Sequence, residues 1–557
     1  MLQLTESPMW VWLRNSIAGF AAVAFFMLLA FAGQTQAQAK QGKPSSKTGA
    51  RPNIVLVQTD DAISGDIRFL PNVKRLLERG GTTLSNNIVP YPLCGPARAS
   101  LLTGQLAHNH QVVSNFRSND GGHLTFRDLP GKLNQRNSLA PWLRQSGYRT
   151  AMVGKYMNEY GVFDQTEIPP GWDRWVGMLD NSTYDYFNYG LNVNGKVQFR
   201  GERAYAEKHM LLAKTAAENP PMSFGDLLNT FQTVYDPFDY FGTQVEKNYS
   251  MDVTGGYASR FVRNAAPRKK PFFLYYAPPG PHAEDTNHIQ GLRPGAPLPD
   301  PRPPARYADT FDNVELPRPP SFNEADVSDK ASNLSSQPLL TEEKIGEITD
   351  NYRGRLGALR AVDDQVGRIA KELRRAGELK NTFIIFTSDN GYLQGEHRLR
   401  SSKFLPYENS VKVPALIRGP GIKAGRSLTG TTLDVDMTAT VLDMANVKPR
   451  RKLDGISVLP AAKGKKRLPT RVAPIEALRP LLRFFTPLTA FDVPYYGLRT
   501  SQYKYINWSF DEKELYDLKR DPDELVNLAN DPAYAETVAR LEAKSVQLRG
   551  CSGNTCR

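Results

Sequence analysis

Two apolar runs more than 300 residues apart end in the same way. Asn53-Ile-Val-Leu-Val-Gln-Thr59 runs directly into Asp60-Asp61, and Phe383-Ile-Ile-Phe-Thr387 into Ser388-Asp389-Asn390-Gly391. Uninterrupted runs rich in Ile, Val and Phe suit strands buried on both faces, as in a parallel sheet covered by helices. Open sheets of that kind carry their sites at the carboxyl ends of the strands. Asp-Asp after a strand is ordinarily a solvated turn. Its recurrence as Asp-Asn-Gly points instead to a shared site. With both strands in one sheet, Asp60, Asp61, Asp389 and Asn390 would meet around one cation, and an all-oxygen donor set suits Ca²⁺ or Mg²⁺. The fold expected is α/β: a large mixed, mostly parallel sheet with helices on both faces, plus a smaller C-terminal α+β subdomain.

Between these strands lies Pro92-Leu-Cys94-Gly-Pro96-Ala-Arg98-Ala-Ser-Leu-Leu-Thr-Gly104. Pro96 is compatible with a first helical turn and Gly104 with a helix end. Cys94 then sits at a helix N-terminus, where N–H groups favour an anion, and Arg98 lies one turn on along the same side. The chain has three cysteines. Cys551 and Cys556 are close enough in sequence for a small disulfide loop, which leaves Cys94 unpaired. A buried thiol capping a helix is the plainer account of such a residue.

Cys-x-Pro-x-Arg followed by Ala-Ser-Leu-Leu-Thr-Gly resembles the signature of the type I sulfatases, within the alkaline-phosphatase superfamily. The resemblance implies that Cys94 is oxidised to formylglycine by a formylglycine-generating enzyme, and that the hydrated aldehyde is the nucleophile. It also implies a divalent metal, usually calcium, on Asp60, Asp61, Asp389, Asn390 and the residue made from Cys94. Gly154-Lys155-Tyr-Met157-Asn158-Glu-Tyr160 with Ile168-Pro-Pro-Gly-Trp172 is similar to the glucosamine-6-sulfatase branch. Lys155 matches the family's active-site lysine, whereas Met157 stands where arylsulfatases have a histidine. The base for sulfate elimination is thus left among Asn158, Lys155 and a water. His282, in a proline-rich loop after Pro271-Phe-Phe-Leu-Tyr-Tyr276, matches the family's Pro-His beside the ester's bridging oxygen. Lys403, 14 residues after Asp389, matches the spacing of glucosamine-6-sulfatases, and His397 fits a Gly-Glu-His form of bacterial relatives. The catalytic set implied is Cys94, Arg98, Lys155, His282, Asp389 and Lys403, with Asn158 and His397 facing substrate.

The flanks set the boundaries. Arg14, the uncharged run Ser16–Gly33 and Ala37-Gln-Ala39 form a secretory signal pattern, followed by a linker to residue 50. The run is also long enough to serve as an uncleaved anchor. Export to a secreted, periplasmic or lysosomal compartment agrees with the cysteine usage. A catalytic domain is expected over 51–460 and a C-terminal subdomain over 461–557, where Tyr496–Ile506 and Glu514–Leu518 alternate like antiparallel strands. Gly291–Pro320 reads as an extended loop, Thr341–Ala376 as a long helix and Val413–Arg418 as a strand. The formal charge is +13, from 70 basic and 57 acidic residues. With no zinc-finger, RRM or basic-helix pattern, that charge fits a polyanionic substrate or a merely solvated surface rather than nucleic acid. No stable membrane insertion is expected after signal cleavage. Three alternatives to a sugar sulfatase are a general arylsulfatase, a phosphonate or phosphate monoester hydrolase of the same superfamily, and a non-catalytic binder of sulfated glycans. The last requires an unmodified Cys94.

Overall fold

A computed structural model describes residues 51–117, 120–128, 135–180, 182–203, 206–207, 245–268, 270–284, 300–400, 402–479 and 493–557. In chain order the strands are β1 (Asn53–Thr59), β2 (Thr82–Leu84), β3 (Asn87–Ile88), β4 (Arg149–Gly154), β5 (Arg174–Met178), β6 (Tyr189–Val193), β7 (Lys196–Arg200) and β8 (Phe272–Ala277). The second half supplies β9 (Thr382–Ser388), β10 (Ala415–Arg418), β11 (Arg426–Leu428), β12 (Thr432–Leu433), β13 (Ala473–Ala477), β14 (Tyr495–Arg499), β15 (Tyr503–Trp508) and β16 (Lys513–Asp517). Ten of them form one sheet in the order β11-β2-β10-β9-β1-β8-β4-β5-β6-β7.

The centre of that sheet, β9-β1-β8-β4-β5, is parallel throughout. Antiparallel pairs appear towards its edges. All seven residues of β1 are buried. Their alternation divides the core: Ile54 and Leu56 face one layer, Val55 and Val57 the other. The second layer includes helices Ser250–Ala265 and Glu342–Arg375, the latter capped by the Thr341 side chain. The first includes Cys94–Thr103, Leu139–Gln145 and Val435–Ala445. Placing helices on both faces is what lets the central strands be buried on both sides.

Register positions the site. β1 and β9 pair from Asn53↔Thr382 to Thr59↔Ser388, so the residues that follow each strand come out side by side. The Asp389 amide donates to the Thr59 carbonyl at 3.2 Å.

A separate four-stranded antiparallel sheet, β13-β14-β15-β16, packs with the terminal helix Ala535–Arg549. Cys551 and Cys556 are disulfide-bonded and Cys94 is free. Residues 51–557 form one compact unit. The strand expected over 413–418 begins only at Ala415. Pro414 has no N–H for a ladder, and the Val413 amide donates instead to the Asn87 carbonyl. The described part of the proline-rich segment, from residue 300, has one short turn of helix, Ala305–Tyr307. The signal pattern, the linker and residues 291–299 lie outside the described residues. No helix among the described residues is long and apolar enough to cross a membrane.

Candidate active site

Cys94 opens a helix whose ten residues are all buried. Leu93 offers no side-chain cap, and the Gly95 amide donates instead to Asn115 Oδ1 at 2.8 Å. Gly104 closes the helix at φ 70°, where an L side chain would be strained. The free thiol is fully buried, with Asp60 Oδ1 3.4 Å from Sγ and Lys403 Nζ 3.2 Å away. Burial, then the Asp60 carboxylate, push this thiol up to about 12.

Three carboxylates and three cations surround it. Arg98 Nε donates to Asp389 Oδ2 at 2.8 Å, Nη2 to Asp60 Oδ2 at 3.3 Å and Nη1 to the Lys155 carbonyl at 2.8 Å. Lys155 Nζ donates to Asp60 Oδ2. Lys403 Nζ lies 2.7 and 3.0 Å from the two oxygens of Asp61. Burial would raise the Asp60 carboxyl, yet Lys155, His282 and Arg98 hold it well below the usual carboxylate range. Burial would likewise lower Lys155 and Lys403, but Asp60 and Asp61 respectively keep each raised. Asp389 goes the other way: burial and the neighbouring Asp60 charge raise it to about 6.

The ligand atoms of Asp60, Asp61, Cys94 and His282 all lie within 4.8 Å of one another. Asn390 Nδ2 donates to Asp61 Oδ1 at 2.6 Å, while the buried Asn390 Oδ1 has no partner. Asp60 and Asp61 converge there with Cys94 and His282, while Asp389 lies alongside, its Oδ1 accepting from the Asp61 amide at 3.2 Å. With the unsatisfied amide oxygen these carboxylates suit a hard divalent cation, and the Lys403 ammonium already rests against one of them.

His282 follows β8. Its Nδ1 lies 2.7 Å from the Ala283 carbonyl, so Nδ1 carries the proton, and Nε2 stands 3.8 Å from Asp61 Oδ2. Burial, then Lys403, lower it to about 4.

Such a cluster can hold a tetrahedral oxyanion, a nucleophile on residue 94 and a proton donor. Family comparison decides the class: the sulfatase family model matches residues 52–447. The chain is a sulfatase. As such it is a sulfuric ester hydrolase, of a family that uses formylglycine and a divalent metal. Over residues 395–550 this sulfatase also matches the C-terminal model of N-sulphoglucosamine sulphohydrolase. It is 31% identical over 541 residues to human N-acetylglucosamine-6-sulfatase, covering 91% of this chain and 86% of that one. A solved structure in complex with its substrate D-glucosamine-2-N,6-O-disulfate superposes with a TM-score of 0.66 at 23% identity, covering 90% of this chain and 98% of the other. The phosphonate monoester hydrolase of Agrobacterium radiobacter shares the fold at a TM-score of 0.60 and 20% identity, covering 90% and 95%.

Within this sulfatase, Asp60, Asp61, Cys94, Arg98, Lys155, His282, Asp389, Asn390 and Lys403 are brought together by the contacts above. His397 is placed elsewhere. It is buried, its Nδ1 is 2.6 Å from Glu324 Oε2, and its ring lies against Tyr407. Those bonds tie the 321–324 segment to the 396–407 loop, and none of them is to Cys94 or to the residues around it. Asn158 Nδ2 donates to the Tyr184 hydroxyl at 3.0 Å, and its buried Oδ1 has no partner. Met157 is core.

Two residues of the site carry no motif. Arg355 donates to the Asp61 and Pro281 carbonyls and lies over Tyr392, tying both loops to the long helix. An arginine on the apolar stripe of a periodic helix was the available signal. Tyr184 contacts His282, Lys155 and Asn158, and nothing in its surrounding Ser-Thr-Tyr-Asp-Tyr marks it.

Proposed function

We propose that this sulfatase removes the 6-sulfate of a sulfated glucosamine, through formylglycine made from Cys94 and with Ca²⁺ on Asp60, Asp61, Asp389 and Asn390. The observation that carries the reading is the setting of Cys94: unpaired, fully buried and held between Asp60 Oδ1 and Lys403 Nζ. A thiol pushed up to about 12 is a poor nucleophile at neutral pH. Support for the substrate comes from the likeness to human N-acetylglucosamine-6-sulfatase along 91% of the chain.

The three carboxylates and three cations balance, so a divalent ion leaves the site with an excess of positive charge for an anionic ester. When bound, the ion would lower the charge on the sulfate oxygens and the aldehyde hydrate would supply the attacking hydroxyl. Arg98 and Lys155 orient the sulfate. Asp389, its Oδ2 held by Arg98 Nε at 2.8 Å, accepts the proton of the attacking hydroxyl. His282 acts as the imidazolium, the form that a bound anionic ester favours over the neutral ring of the free site. It hands its Nε2 proton to the departing alkoxide and returns to the Nδ1–H form held by the Ala283 carbonyl, with Lys403 stabilising the charge. Residues 1–39 act as a signal peptide, residues 461–557 form the second subdomain, and the mature protein works outside the cytoplasm.

The test is production with a formylglycine-generating enzyme, mass spectrometry of the peptide containing residue 94, and sulfate release from glucosamine 6-sulfate. Expected are the aldehyde at position 94, turnover that falls with chelation and returns with Ca²⁺, and loss of turnover in Cys94→Ala by several orders of magnitude. Full activity with an unmodified thiol, or turnover of aryl sulfates alone, overturns the reading.

A further inference from the structure

His282 is gripped from one direction by a single turn of chain. The segment Ser182–Tyr184 follows β5, and it is pinned by Ser182 Oγ, which donates to the Leu179 carbonyl at 2.7 Å and accepts from the Gly190 amide at 2.9 Å. Two tyrosines spaced by two residues leave this turn towards His282. Tyr186, fully buried, donates its hydroxyl to the His282 carbonyl at 2.5 Å. Tyr184, 2% exposed, lays its ring against the imidazole, with centroids 4.2 Å apart and planes tilted by 31°. The turn is also fastened to the same loop through the Tyr186 amide, which donates to Glu284 Oε1 at 2.7 Å.

The Tyr184 ring has a second neighbour. Lys155 Nζ lies 4.7 Å from its centroid, a cation over an aromatic face. Its hydroxyl is held by Asn158 Nδ2 at 3.0 Å. One side chain therefore touches the imidazole, the ammonium that pairs with Asp60 and an amide of the adjoining loop. Rotation of His282 about its χ angles is blocked on the Tyr184 side. On its other edge the Nδ1 contact to Ala283 helps to set the ring plane.

We propose that Tyr184 is the positioning residue for His282, fixing the direction in which Nε2 meets the leaving oxygen of the ester. The assignment rests on the role given to His282 above. It makes Tyr184 selective in its effect. A sugar 6-sulfate leaves as a strongly basic alkoxide and needs a well-aimed proton, whereas a nitrophenolate leaves without one. Misplacing a catalytic group by about 1 Å is worth about 100-fold in rate. The ring, not the hydroxyl, does the holding.

The experiment compares kcat and KM on glucosamine 6-sulfate and 4-nitrophenyl sulfate for Tyr184→Leu, Tyr184→Phe, His282→Ala and the double variant Tyr184→Leu/His282→Ala. Expected for Tyr184→Leu is a fall in kcat on the sugar ester of about 10–100-fold, a KM changed less than about threefold, and a loss on the aryl ester below about threefold. Tyr184→Phe restores the sugar turnover to within about threefold. In the His282→Ala background Tyr184→Leu adds nothing further. Additive losses, equal losses on both esters, or a Phe variant as poor as Leu overturn the proposal. If His282→Ala itself spares the sugar ester, the role of His282 fails instead, and the two failures are thereby told apart. Should the Leu variant not fold, Tyr184→Met takes its place, and the Phe rescue and the double variant are read against it.

Discussion

Arg98→Met is the most revealing single change. The guanidinium is fully buried and serves three acceptors on three different segments: Asp389 Oδ2, Asp60 Oδ2 and the Lys155 carbonyl. Methionine fills similar space but leaves two buried carboxylates facing each other, with Lys155 the one cation still paired with Asp60 among the described residues. Removing one partner from a buried ion pair destabilises a fold by about 3–5 kcal/mol, more than a lost hydrogen bond, because a charge stays behind unpaired. For a unit of about 500 residues the unfolding entropy is on the order of 1 kcal/mol per degree, so the melting temperature should fall by about 3–5 °C. Arg98→Lys keeps the charge but not the fork, and should fall between. Turnover should drop at least about 100- to 1,000-fold in the Met variant if Arg98 donates to the sulfate oxygens as proposed. Calorimetry with and without Ca²⁺ separates the effects: a cation on Asp60 and Asp389 recovers part of the lost stability but not the activity. An Arg98→Met protein that melts like the parent without Ca²⁺ would refute the charge balance argued for the cluster.

Calcium itself should stabilise the parent. At a hundredfold excess over Kd, mass action gives about 2.7 kcal/mol, seen as a rise of about 2–3 °C in a protein of this size. No shift with either Ca²⁺ or Mg²⁺ would contradict the shared oxygen site. A second measurement concerns His108, whose Nδ1 is 2.7 Å from Glu476 and whose Nε2 meets the Cys551 carbonyl. Burial would lower this imidazole, but Glu476 raises it to about 9. With the folded value above the unfolded one, its contribution is complete below about 6.5 and disappears as pH rises through about 9. The stability gap between the parent and His108→Gln, followed by denaturant unfolding, should therefore shrink from pH 6.5 to 9.5. A constant gap would remove the charge from the account.

Much of this arrangement can be read in the chain because it depends on strands. β1 and β9 announce themselves as apolar runs, and their carboxyl-end residues follow from the register of a parallel pair. The Cys94 helix is bounded by a proline and a glycine whose positions have local meaning. His397 shows the limit of local sequence. A histidine in a plausible local sequence is indistinguishable from a structural one until its partner, Glu324, is known to lie beside it. Tyr184 and Arg355 are silent for the same reason, since their roles arise from contacts across about 100 and 300 residues. Only Arg355 leaves a trace, as a charge on an otherwise apolar helical face.

The burial of the Cys94 helix fixes an order of events. All ten of its residues are closed off, between the sheet and the helix that follows β12. If Cys94 becomes formylglycine as proposed, its oxidation would then come before the fold closes over this segment. On that reading, protein that folds first would keep its thiol, and supplying the modifying enzyme afterwards would not restore activity. The active fraction of any preparation is then a record of a race between two rates, decided once in the life of each molecule.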